Sequence, residues 1–371
     1  MRKSLVVISA LLPLLAGAGP LGLPPVPVPE DNPQTPAKIG LGDKLFHDER
    51  FSSTGDVSCS TCHDAAKVFT DSPLPVSVGI DNLTGTRNAP TVVNAAYNAT
   101  QFWDGRSPSL EDQAQHPFLN PVEMGLESHR PILDVIAGDG EYQAMFKEAF
   151  GVKGRRVAMD HVLKAIAAFE RTQVTGDSRW DRYRFGGEQD ALTESEKRGF
   201  EVFLGQGRCV SCHTIEQDHA LFTDHKFHNI GVGVNELGDT IVPLAKAFMA
   251  EKRGGADVDV AVLTDANTSH LGRFAVNDEI SDIGGFKTPT LRNIAVTAPY
   301  MHDGSITTLR DVVVHYNNGG ALEEDTPITP FLSGGIRPLE LSDGQIDDLV
   351  AFMESLTSPQ YEALANAGGK E

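Results

Sequence analysis

The sequence predicts a mainly α-helical protein of two tandem domains with little β-structure, and three observations carry that prediction. Apolar residues recur at helical spacing in "DHVLKAIAAFERT", where Val162, Leu163, Ile166 and Phe169 share a face. They recur again in "QIDDLVAFMESL", where Ile346, Leu349, Val350, Met353 and Leu356 form one stripe. Alternation of β-branched with polar residues is scarce, so any sheet is small. Finally, Cys-x-x-Cys-His occurs twice, at Cys59–His63 and Cys209–His213. Each copy follows a matching segment, Gly42-x-x-Leu45-Phe46 and Gly199-x-x-Val202-Phe203, as expected of one unit used twice.

Taken in order, Arg2 and Lys3, the apolar run Leu5–Ala16 and the small residues Ala16-Gly17-Ala18 read as a cleaved signal peptide over 1–18. The run is too short to cross a bilayer, and no later stretch is apolar enough to do so. The mature chain is therefore expected in the periplasm. Residues 19–37, with seven prolines between 20 and 36, read as an extended linker with no core-forming pattern. The first domain is expected over 38–190, the second over 191–358, and a tail over 359–371. The junction is expected in the polar, glycine-bearing stretch 175–192. Thr193 with Glu196, and Ser342 with Gln345, stand at capping-box spacing and mark helix starts.

All four cysteines of the chain lie in the two repeated motifs. A disulfide within Cys-x-x-Cys closes a very small loop and stabilises little. Zinc takes two such units close together, but here they lie about 150 residues apart. A thioredoxin-like redox pair explains neither the second copy nor the histidine after each. Covalent haem c explains all of it: Cys59, Cys62, Cys209 and Cys212 form thioethers to two haems, and His63 and His213 become the iron ligands. The domains are then two cytochrome-c-like haem domains.

The formal charge of −20 and pI near 4.9 argue against nucleic acid and anionic membranes as partners. They favour a partner with a basic patch, such as a small cytochrome. Whether the haems do more than carry electrons depends on an open iron face. No histidine occurs between His63 and His116, and the stretch that follows the first motif contains Trp103, Gln113 and Glu123. These groups suit electron hopping, hydrogen bonding and acid–base work, although each alone is more often structural.

The segments "TRNAPTVVNAAYNATQFWDGR", "NPVEMG", "FKTPTLRNIAVTAPYMHDGS" and "TLRDVVVHY", with both motifs in order, resemble the bacterial dihaem cytochrome c peroxidase and MauG superfamily over residues 38–357. The resemblance implies that the haem on His63 is the peroxidatic one and the haem on His213 the electron-transfer one. It assigns acid–base work to Glu123, a hydrogen-bonding role to Gln113 and a bridge between the haems to Trp103. It also implies a calcium ion held by Asn88, Thr297 and Pro299. Two departures point to the MauG-like branch. Ile80 stands where most peroxidases carry a distal histidine, and Tyr316 stands where they carry a methionine ligand; Met301 and His315 are its rivals. The implied activity is a dihaem enzyme that uses hydrogen peroxide to form high-valent haem and oxidise a partner protein. Two alternatives are kept. One is a peroxidase that reduces hydrogen peroxide with electrons from a small cytochrome or cupredoxin. The other is a dihaem electron carrier without catalysis.

Overall fold

The computed structural model describes residues 19–323 and 325–368; the expected leader, 1–18, lies outside the described residues. The architecture is helical, and among the described residues one sheet pairs two short antiparallel strands, Phe227–His228 and Phe286–Lys287. None of the described helices is long and apolar enough to cross a membrane.

Two helix crossings organise the two halves. The helix Pro36–Phe46 crosses Met159–Glu170, and Glu194–Leu204 crosses Asp343–Glu354. The repeated glycine explains both crossings. A Cβ on Gly42 would sit 1.9 Å from the Ala165 carbonyl oxygen, and one on Gly199 would sit 1.8 Å from that of Asp348. Only glycine lets the backbones approach so closely, and the Phe that ends each segment, Phe46 or Phe203, is buried in its own core. Both expected capping boxes form. The backbone N–H groups of Thr193 and Ser342 donate to Glu196 Oε2 at 2.7 Å and to Gln345 Oε1 at 3.0 Å.

Three expectations about organisation change. The proline-rich 19–35 segment is a packed strap. Proline has no N–H to give a ladder, and carbonyls of this stretch accept instead from side-chain donors: Gly22 O from Arg292 at 2.7 Å, and Pro24 O from the Tyr97 hydroxyl at 2.9 Å. The second half begins before 191, because Trp180, fully buried, belongs to its core. The polar letters around it mislead: Asp181 is buried in a bidentate pair with Arg292 at 2.8 and 2.9 Å and receives the Ser178 N–H. The expected tail is anchored at its start, since Tyr361 packs back into the first core.

A third apolar cluster had no counterpart in the sequence reading. It is built from Val234, Ile241, Phe248, Val262, Leu271 and Phe274, among others, and lies in the chain between the second Cys-x-x-Cys-His motif and Phe286. It packs back on the first half. Thr86 donates to Val262 O at 2.6 Å, Arg87 to Ser269 Oγ at 3.0 Å, and Asn120 to Asp259 Oδ2 at 2.8 Å.

Candidate functional site

The two motifs open onto one continuous cavity of about 840 Å³. Its wall includes both cysteine pairs, His63, His213, Trp103, Gln113, Glu123, Tyr316, Asn88, Thr297 and Pro299. Every catalytic, haem-binding and cation residue expected from the sequence therefore faces the same enclosed space.

Each histidine is oriented in the same way. His63 Nδ1 bonds the Phe69 carbonyl at 3.1 Å, and His213 Nδ1 bonds that of Phe222 at 2.8 Å. With Nδ1 engaged, Nε2 is the nitrogen free for a metal. Burial pushes both imidazoles below their ordinary pKa, so neither competes for a proton. All four cysteines line the cavity, and none is in a disulfide. Two adjacent thiols with one free imidazole nitrogen, repeated, form a donor set that fits covalent haem at both positions.

The resemblance between the halves runs further than the two short motifs. Phe69 and Phe222 both hold positive φ, 55° and 53°. Thr91 donates to Val68 O and Thr290 to Leu221 O, at 2.5 and 2.8 Å. Asn94 and Asn293 take left-handed backbone, and the bridges Gln101–Ser107 and Tyr300–Ile306 close equivalent loops. "APTVVN" and "TPTLRN", each followed by an Asp-Gly, carry this repeat in the sequence. By that correspondence His302 is the counterpart of Trp103. Both are tied to Asn88: the indole N–H donates to Asn88 O at 2.9 Å, and Asn88 N–H donates to His302 O at 2.8 Å.

Beside the first motif, Glu123 is half-buried, and its Oε2, shielded from solvent, has no hydrogen-bond partner. Burial first, then the charge of Asp259, pushes its pKa up to about 7, against the pull of Arg106. Arg106 is itself held by Asp104 at 3.1 Å and Asp259 at 2.7 Å. Asp259 lies in the third cluster's segment, so residues remote in sequence set the acidity of Glu123. The loop before Arg87 lines the cavity with Ser77, Gly79 and Gly85. Ile80 itself does not face the cavity. It is buried in the first core, with its N–H on Glu123 O at 2.9 Å. The loop holds no histidine, and Ile80 contributes backbone rather than a blocking side chain.

At the second motif, Tyr316 projects from the helix Leu309–Asn317 into the cavity, and burial raises its phenol well above the ordinary value. His315 is turned away, with Nε2 on Ile230 O at 2.8 Å. Met301 stays in the cavity wall. Asn88 Nδ2 donates to Pro75 O at 3.2 Å, which leaves its side-chain oxygen available to a cation. Sequence reasoning missed Lys287, a buried lysine in the same wall whose Nζ donates to Thr100 O at 2.8 Å. It also missed Glu170.

The model of the di-haem cytochrome c peroxidase family matches residues 36–190. The methylamine utilization protein MauG of Methylorubrum extorquens is 36% identical over 332 residues, 89% of this chain and 81% of that protein. A cytochrome-c peroxidase, IdrP1, of Denitromonas iodatirespirans is 34% identical over 96% of this chain and 92% of its own length. Among solved structures, a MauG-like protein associated with microbial copper homeostasis superposes with a TM-score of 0.74 at 32% identity, covering 92% of this chain and 95% of that one.

Proposed function

Since the chain belongs to the di-haem cytochrome c peroxidase and MauG family, and is therefore a dihaem oxidoreductase of the peroxidase type, we propose that it works in the MauG manner. It reacts with hydrogen peroxide in the fully oxidised state and withdraws electrons from a partner protein. The observation that carries this reading is Tyr316, lining the same cavity as His213 while His315 is committed to a backbone carbonyl. A phenolate ligand stabilises oxidised iron, whereas a thioether favours the reduced state.

Haem supplies the iron that binds and reduces peroxide; the chain supplies the rest. Glu123, poised near neutrality, would carry a proton between the two oxygens of peroxide. Gln113 offers hydrogen bonds in the same wall. Buried Asp104, held as a carboxylate by Arg106 and Arg87 although its burial opposes this, keeps Arg106 from neutralising Glu123 fully. Trp103, fixed through Asn88, is the oxidisable group between the motifs. Asn88, Thr297 and Pro299 hold calcium, a hard cation that suits their oxygen donors. The mature protein acts in the periplasm, where its acidity suits a partner bearing a basic patch.

An electron paramagnetic resonance spectrum of the oxidised protein, followed by peroxide, tests the reading. One high-spin and one low-spin ferric signal, and reaction without prior reduction, are expected. Two low-spin signals with reactivity only after half-reduction would return the chain to the peroxidase that draws on a small cytochrome or cupredoxin.

A further inference from the structure

Glu170 closes the helix Met159–Glu170 and is only 6% exposed. It lines the haem cavity beside Ile166, one helical turn earlier, and its Oε2 has no hydrogen-bond partner. Nothing in the peroxide chemistry uses it. The neighbouring Phe169 packs on Phe46 at 5.2 Å, and Phe46 lies 6.4 Å from the His63 ring. Of the charged groups around Cys59, Glu170 acts on it most strongly. The position is thus a wall of the first haem's site.

An unpartnered buried carboxylate is costly unless a cation compensates it. The surrounding charges do not provide one. Arg171, next in the chain, pairs through Nη2 with Glu111 of the helix Leu110–Gln113 at 2.7 Å, and its buried Nη1 makes no hydrogen bond to Glu170. Glu111 itself adds negative potential and also accepts from Asn32 at 2.7 Å. Lys38, on the helix Pro36–Phe46, donates to Asn32 Oδ1 and Pro33 O, both at 3.0 Å. Glu123, elsewhere in the cavity wall, carries the same sign. Burial therefore dominates and moves Glu170 up to about 8, with Arg171 opposing and Glu111 reinforcing.

We infer that Glu170 is a proton-holding acid built into the wall of the first haem's site, and that its carboxylate takes up one proton when one electron enters there. The inference rests on the haem assignment to Cys59, Cys62 and His63. The step balances: a redox partner or chemical reductant gives one electron to the ferric haem, and solvent gives one proton to Glu170. The buried charge is then unchanged. In a poorly polarisable interior that neutrality couples the two events. Below about pH 8 Glu170 already holds its proton and the coupling vanishes.

Spectroelectrochemical titration of the first haem in the holoenzyme, from about pH 6 to about pH 10, reads this directly. The potential should fall with rising pH above about 8, by one proton per electron. In Glu170→Gln the component that sets in above about pH 8 should disappear, while any step belonging to Glu123, setting in about one pH unit lower, survives. A component above about pH 8 left unchanged in Glu170→Gln, or a wild-type potential level across the alkaline range, overturns the inference. Reduced-minus-oxidised infrared spectra of the wild type at alkaline pH provide a second readout. A protonated-carboxyl band should appear on reduction, and its absence also overturns the inference. If Glu170→Gln does not mature, Glu170→Asp keeps a carboxyl and should move the onset. An unmoved onset counts against Glu170. The haem content of the wild type, two per chain, separately tests the assignment on which the inference rests.

Discussion

Replacing Glu123 with Gln keeps the side chain's volume and removes its ability to carry a proton between two oxygens. Two opposite effects follow from its surroundings. A positioned acid–base group contributes about 10²–10⁴ in rate, or about 3–5 kcal/mol of barrier, so peroxide consumption should slow by that factor. The wild-type rate should rise with pH through about 7, as the carboxylate forms, and then level off. The variant's profile should be flat there. Stability should move the other way. The folded pKa is raised from 4.5 to about 7, so between those values the folded state holds a proton that the unfolded chain has released. Stability from this group is complete at acid pH and is lost as pH rises from about 4.5 to about 7, by at most about 3 kcal/mol at 1.36 kcal/mol per unit. Gln has no such loss. The variant should therefore be no less stable than the wild type at acid pH and more stable at neutral pH. Stopped-flow mixing with peroxide across pH, beside denaturant unfolding at both ends of that window, measures both effects. An unchanged rate, or a slowed rate together with lost haem or lowered neutral stability, would refute the reasoning.

Two further substitutions test the other groups. Tyr316→Phe removes the only phenol oxygen offered by its helix to the second haem and should abolish or alter the low-spin signal, while Tyr316→Met should raise that haem's potential. Unaltered spectra and potentials in both would move the ligand role to Met301, since His315 is held by Ile230 O. Trp103→Phe removes the indole N–H that bonds Asn88 O at 2.9 Å and should cost about 1–2 kcal/mol of stability. Peroxide should still be consumed, but oxidation of a distant partner should fall far more steeply. Rapid-mixing spectra read at both haems check this, and equal loss of both steps would make Trp103 packing alone.

Much of this protein was legible in its letters because the chemistry is local. Cys-x-x-Cys-His confines two thioether donors and an iron ligand to five consecutive residues, and the spacing alone names the cofactor. Gly42 and Gly199 were legible as a repeat, and the crossings give the reason, since no other residue clears a neighbouring carbonyl at under 2 Å. The capping boxes at Thr193 and Ser342 are equally local. What the letters could not determine depends on burial and on contacts between distant segments. Asp181 and Trp180 sit in a stretch that reads as a polar linker, and only the buried Arg292 opposite turns it into core. The prolines of the strap carry no periodicity, so their packing against Tyr97 and Arg292 has no sequence signature. Ile80 aligned with a lost ligand, yet its side chain points into the core, because a one-dimensional match does not specify which way a loop faces. The resemblance named Glu123 but not its acidity, and nothing in the sequence singled out Glu170. Enclosure in one cavity shifts both toward neutrality: desolvation acts on both, and Asp259, brought in from well over a hundred residues away, adds to it at Glu123. Covalent attachment was encoded by neighbours in the chain, whereas acidity was decided by neighbours in space.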